Sequence, residues 1–258
     1  MFNESQKMDL IFSVGCNCEN SLSLRKCNLQ IASYPFDWLG CSDFETNLNY
    51  IINDFKNFFN KDDLEIVKDS SNGVHNKYKN KYSELEFVHD FPINKNFNEQ
   101  YYKVKEKYDK RIKRLQNKIQ NSKNVLIVYN SYTPVNIEFL REKCKDFNTK
   151  FRIKFPNTKI FYLYIINNRE EKFDLIDNNL NLRILANDFS ITKKYLNFGG
   201  IKFSTKVFKL DKILKAYKLK ICFSERILSY KYFLKKVLIN LIPDKNLALC
   251  LRHKNRYR

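Results

Sequence analysis

Residues 8–26 read MDLIFSVGCNCENSLSLRK, an apolar run, a glycine and a helix-forming stretch in immediate succession. From roughly Leu10 to Val14 the chain is apolar without much alternation, which predicts a short buried strand. Gly15 breaks it. A helix is expected to begin near Glu19 or Asn20, with Leu22, Leu24, Cys27 and Leu29 as an imperfect apolar face. A strand, a glycine turn and a helix start in such close order are how an α/β domain presents backbone N–H groups to a ligand or a reacting atom.

The same alternation of elements continues outward. Ser42 with Glu45 three residues on forms a capping box, and Phe44, Leu48, Ile51, Ile52, Phe55, Phe58 and Phe59 follow at helical spacing. The polar run KDSSNGVHNKYKNKY, residues 68–82, reads as loop, and ELEFVHDFP, residues 84–92, as a strand closed by Pro92. From about Asn98 to Asn121 a long amphipathic helix is expected, its apolar stripe running through Tyr101, Val104, Tyr108, Ile112, Leu115 and Ile119. Its row of Lys and Arg reads first as a solvated face. NVLIVYNSY (124–132), TKIFYLYIIN (158–167) and NLRILAND (181–188) are further strands, and Thr133 with Pro134 predicts the start of the helix between the first two. Strands too apolar to have a wet face, alternating with helices, predict an α/β fold: a mainly parallel sheet covered by helices on both faces. The domain is expected to span residues 1–205, with residues 206–258 as a basic helical extension.

Composition narrows the function classes. With 258 residues and 43% apolar content the chain builds a core without staples, which excludes disordered and disulfide-scaffold readings. The start MFNESQKMDL lacks a secretory pattern, so a cytoplasmic protein with seven reduced cysteines is expected. A net charge of +19 predicts attraction to polyanions. Residues 201–258 hold sixteen basic and three acidic groups, and the apolar stripe of SERILSYKYFLKKVLINLIP offers either a core-packing helix or one lying on an anionic membrane surface, on the inner face of the membrane. Nucleic acid is disfavoured as a partner, because the aromatics follow apolar faces rather than interleave with the basic residues.

Candidate chemistry centres on a thiol. Cys16, Cys18 and Cys27 fall short of the four ligands of a closed zinc site, and Gly15 stands without the companions of a nucleotide fingerprint, so neither metal nor cofactor is expected. Cys18 precedes the expected first helical turn, where unpaired N–H groups stabilise a thiolate and can hold an oxyanion. Of the three histidines, His89 is the one that the pattern puts at the end of an apolar strand, and it is the candidate base. Two carboxylates compete to orient it. Asp90 follows it directly but would point to the opposite strand face, while Asp37 sits in the rigid SYPFDW turn between Phe36 and Trp38. Asn17, Trp38, Arg111 and Arg114 complete the set as candidate substrate contacts.

The segments FSVGCNCENSLSLRKCNLQIASYPFDW, EFVHDF and YDKRIKRLQ leading into NVLIVYN together resemble a bacterial family of unknown function described as putative papain-like cysteine peptidases. Its members are similar in a strand ending in Ser-Leu-Gly, a Cys three residues after the Gly, a Leu-Arg pair, a Ser-Tyr-Pro-Phe-Asp-Trp block and a His-Asp pair before a basic helix. The resemblance implies Cys18 as nucleophile, His89 as base, and Asp37 and Asp90 as the aspartates. Cys16 departs from the small polar residue common at its position, which leaves two neighbouring thiols. The family description implies a papain-like α+β fold as the alternative architecture. Its gene context among cell-surface polysaccharide genes implies a glycan as an alternative to a peptide substrate. The expected activity is a thiol hydrolase or acyltransferase; the rival is a peripheral glycosyl- or phosphoryl-group transferase of surface-polysaccharide synthesis.

Overall fold

The computed structural model describes residues 7–40, 43–67, 74–189, 191–198, 201–208 and 210–221, with Ile227 and Leu234 beyond them. In chain order the first half runs β1 (Lys7–Met8), β2 (Leu10–Ser13), α1 (Glu19–Lys26), β3 (Leu39–Gly40), α2 (Phe44–Ile52), a 3-10 turn (Lys61–Asp63), β4 (Leu64–Ile66), β5 (His75–Asn80), β6 (Glu86–Pro92) and α3 (Phe97–Gln120). The second half runs β7 (Asn124–Ser131), α4 (Ile137–Lys154), β8 (Lys159–Asn167), β9 (Phe173–Asp177), β10 (Leu182–Asn187), β11 (Ile191–Phe198), β12 (Ile201–Phe208), α5 (Leu210–Leu214) and β13 (Lys218–Leu219).

The central sheet has the order β2-β7-β8-β10-β9. Its first four strands are parallel and β9 is an antiparallel edge. Alternation along β7 and β8 divides the core in two. Val125, Ile127, Tyr129, Ile160, Tyr162 and Tyr164 face α2, α3 and α4, whereas Leu126, Val128, Phe161, Leu163 and Ile165 face Leu24 of α1 and Leu210 and Leu214 of α5. Both faces are therefore buried, which is why these strands read as unbroken apolar runs. Each such side chain contributes about 1.5–3 kcal/mol by leaving water.

Parallel pairing stops at the central sheet and the short β1–β13 pair. A second, four-stranded sheet of order β3-β6-β5-β4 is antiparallel throughout, and β11 pairs antiparallel with β12. The fold is α/β with sheets of mixed direction, so the expectation of a mainly parallel sheet describes the central sheet and not the chain. β12 runs across the expected limit at residue 205. Apart from Ile227 and Leu234, the candidate membrane helix after it lies outside the described residues. Among the described residues no helix is long and apolar enough to cross a membrane.

Four local expectations are corrected by particular contacts. The N-cap of α2 is Asp43, which accepts from the Thr46 N–H at 3.1 Å, while Ser42 of the expected capping box lies outside the described residues. That helix ends at Ile52, because Asp54, Phe55 and Asn57 take positive φ; Phe55 tolerates this while its ring packs 5.5 Å from Phe36 and 5.4 Å from Phe58. Asn136 caps α4, since Ser131 Oγ already closes the turn by accepting from the Thr133 N–H and donating to its carbonyl. The polar run expected to be loop contains β5, whose Tyr78 ring lies 4.5 Å from that of Phe91 and stacks 4.6 Å from Phe97 while its neighbours stay half-buried. One face of β5 feeds the aromatic cluster and its polar composition hides that in sequence.

Candidate functional site

β2 leads straight into the thiol-bearing turn. The Val14 N–H still bonds the Val128 carbonyl of the sheet at 2.9 Å, and the Gly15 N–H then turns onto Ser13 Oγ at 2.9 Å. A Cβ on Gly15 would stand 2.2 Å from Asn20 Nδ2, so any other residue in this turn must displace the Asn20 amide. Asn20 itself is fully buried in the first turn of α1, and among the described residues its amide oxygen and nitrogen find no hydrogen-bond partner.

Cys16, Asn17 and Cys18 divide the work of the turn. The Cys16 thiol donates to the Asn130 carbonyl at 3.0 Å and packs against the larger core. Asn17 Oδ1 accepts from the Glu19 N–H at 2.9 Å, and its Nδ2 donates to Tyr132 Oη at 2.8 Å; Tyr132 in turn donates to the Glu19 carboxylate. Cys18 is the N-cap residue of α1, half-buried, with a carbonyl that accepts from the Leu22 N–H at 3.0 Å and a side chain that makes no cap bond. The thiol therefore sits at the positive end of a helix, just outside the carboxyl end of a parallel strand.

His89 sits on an irregular stretch of β6. Asn76 pairs with Phe91 and Tyr78 with Phe87, so Lys77 alone faces Val88, His89 and Asp90. Such a bulge re-aims side chains. His89 is half-buried and its ring meets that of His75 edge-on, 6.3 Å between centroids. His75 escaped the sequence reading because its segment is polar; only the Tyr78 spacing signals a strand there.

The two aspartates are buried in separate cages. Asp37 accepts from Ser21 Oγ at 3.0 Å, Gln30 Nε2 at 2.5 Å, the Tyr34 N–H at 2.8 Å and Arg25 Nη2 at 3.3 Å. Burial pushes its carboxyl above the usual range, against the pull of Arg25, Tyr34, Arg111 and Ser21. Its bonds to Ser21 and Arg25 pin α1 to the Pro-Phe-Asp-Trp turn. Asp90 accepts from Lys107 Nζ and, at 2.7 Å, from Tyr108 Oη. Burial alone would raise this carboxyl, but Lys107, then Arg111 and Tyr108, hold it below its ordinary value.

The expected substrate contacts fall in different settings. Asn17 is at the half-buried turn. Trp38 is 5% exposed, beneath the Arg25 guanidinium at 5.5 Å. Arg111 is 2% exposed, its guanidinium carbon 5.4 Å from the Tyr108 ring, and Arg114 Nη1 donates to the Ser33 carbonyl at 2.7 Å. The basic face of α3 is thus two faces. Lys103, Lys110 and Lys113 are exposed, whereas Lys107, Arg111 and Arg114 turn inward. Lys107 and Arg111 lie four residues apart, a spacing that puts them on one helical face without marking that face as the buried one. Among the described residues no group of three His, Cys, Asp or Glu is placed to hold a metal ion.

Fold and turn together define an α/β protein that carries a half-buried thiol at a strand-to-helix junction. The chain belongs to the family described as "Putative papain-like cysteine peptidase (DUF1796)", whose sequence model matches residues 9–176. It is also similar to "Uncharacterized protein R408" of Acanthamoeba polyphaga mimivirus, 26% identical over 186 residues, which cover 65% of this chain and 82% of that protein. No solved structure matches the chain.

Proposed function

We propose that the protein is a cysteine-nucleophile hydrolase or acyltransferase acting on an acyl carbon, with Cys18 as nucleophile and His89 as base. The carrying observation is the half-buried Cys18 at the N-cap of α1, its side chain not engaged in capping. Its place at the N-cap, where the first-turn N–H groups of α1 gather, favours Cys18 over Cys16. In the reaction, the Cys18 sulfur bonds the substrate carbon while His89 takes the thiol proton. The imidazolium returns that proton to the leaving group, and water or a second acceptor releases the acyl chain from sulfur. N–H groups of the first α1 turn receive the oxyanion.

Asp37 serves this reading as the clamp of α1, and Asp90 as the buried carboxylate beside His89. Asn17 and Tyr132 form the rim that a substrate meets first. A peptide is the substrate class that the family description favours. The segregated antiparallel sheet is compatible with a papain-like α+β description of the same fold. The cytoplasm is the setting we propose, since a working thiol needs reducing conditions.

The test is alkylation by iodoacetamide across pH, followed at the Cys18 peptide by mass spectrometry. Reaction that persists well below the free-thiol value of ~8.5 supports an activated pair. A profile that simply titrates at that value overturns it. Turnover of a fluorogenic peptide library, abolished by Cys18→Ser and kept by Cys16→Ser, separates a peptidase from a glycan-directed enzyme.

A further inference from the structure

The inner row of α3 joins the two segments that carry the proposed chemistry. Lys107 and Tyr108 both donate to Asp90, the neighbour of His89. Two turns further on, Arg114 donates to the Ser33 carbonyl, at the start of the turn that holds Asp37. Arg111 lies between them on the same helical face, because positions 107, 111 and 114 are three or four residues apart. It is 2% exposed, and Asp37 and Asp90 are likewise buried. Asp37 in turn holds Ser21 and Arg25 of the helix that begins after Cys18.

We propose that Arg111 is a positioning residue: an internal cationic bridge between the Asp37 cage under the Cys18 helix and the Asp90 cage beside the His89 bulge. Both carboxyl groups feel its charge, which pulls each toward the ionised form. The other charged and titratable groups that act on the two carboxylates of this bridge are Arg25 of α1 and Lys107 and Tyr108 of α3, with Arg114 one turn further along the same face. A buried cation facing two buried anions makes each cage depend on the other, since removing it leaves negative charge uncompensated inside the protein. The excess negative potential then raises the proton affinity of both His89 and the Cys18 thiol. Arg111 thereby sets the geometry and the field of the pair without contacting substrate. This inference rests on the reading of Cys18 and His89 as a working pair.

The full chain is tested as wild type, Arg111→Met and Arg111→Lys. Two readouts are taken: the pH profile of Cys18 alkylation by iodoacetamide, and the imidazole titration of His89 by NMR. Arg111→Met is expected to slow Cys18 alkylation at pH 6 by about tenfold or more and to move the His89 titration to higher pH, while Arg111→Lys restores at least part of both. A folded Arg111→Met protein with wild-type profiles overturns the inference and leaves the functional reading intact. A wild-type protein with no alkylation below the free-thiol range overturns the functional reading, and the inference with it. Should Arg111→Met not fold by circular dichroism, Arg111→Gln, which also removes the charge, carries the same two readouts with the same expected shifts. If that variant also fails to fold, Arg111 is a stability residue and the proposal falls.

Discussion

Lys107 on α3 donates to the carboxylate of Asp90, whose side chain has no exposed surface, one residue from His89. The pair closes the antiparallel sheet onto the long helix. It also has a definite pH signature. A carboxyl whose pKa is lower folded than unfolded stabilises the fold above the unfolded value of ~3.9, and that contribution disappears as pH falls toward the folded value. Asp90 is such a group.

Asp90→Asn should therefore cost about 3 kcal/mol at pH 7, because it leaves the Lys107 ammonium without its anion. The variant should also lose part of the acid limb, so the gap to wild type narrows between pH 5 and pH 2. Urea unfolding at a series of pH values measures both. A constant gap across that range would show that Asp90 is not the ionised partner.

The two neighbouring thiols should separate cleanly by mutation. Cys18→Ser is expected to lower turnover roughly 10³-fold or more, as removal of a nucleophile does. Cys16→Ser keeps the hydrogen-bonding pattern to the Asn130 carbonyl with a slightly shorter side chain, so activity should stay within a few fold. Steady-state kinetics with any substrate found in the library screen decide it. The reverse ranking would move the nucleophile to Cys16.

Cys144 of α4 provides an internal control. It is fully buried, and burial drives its thiol far above the ordinary range. Brief alkylation of the native protein should leave it unmodified under conditions that label Cys18, and alkylation in urea should modify it fully. Peptide mapping by mass spectrometry compares the two. Native labelling of Cys144 would mean that α4 opens readily from the sheet.

Gly15→Ala tests the tightness of the turn. The added methyl would meet Asn20 Nδ2 at 2.2 Å, and Asn20 is fully buried. Overpacking of this kind costs about 1–3 kcal/mol. The change should also disturb the approach to Cys18, lowering its alkylation rate more than a stability loss alone explains. Gly15→Ala with the double change Asn20→Ala should recover much of the stability. Thermal unfolding and labelling rates read the two effects separately.

Much of this architecture is legible in the chain order of residues. β7 and β8 follow from NVLIVYNSY and TKIFYLYIIN, since a strand buried on both faces has nowhere to put a polar side chain. The start of α1 at Glu19 and the extent of α3 follow from glycine, caps and three-to-four spacing. These signals are local, with every partner within about four residues.

What the amino acids alone could not disclose is which charges go inside. Lys107, Arg111 and Arg114 look like Lys103, Lys110 and Lys113 in sequence, yet the first three meet partners as distant as Ser33, 81 positions away. The bulge at Val88, His89 and Asp90 is likewise a property of the pairing with β5, and β5 itself reads as loop. A buried charge or a bulged register is stable only where a remote segment supplies the opposite charge or the missing hydrogen bond. Local propensity determines the elements; the cages around Asp37 and Asp90 come into being when those elements pack.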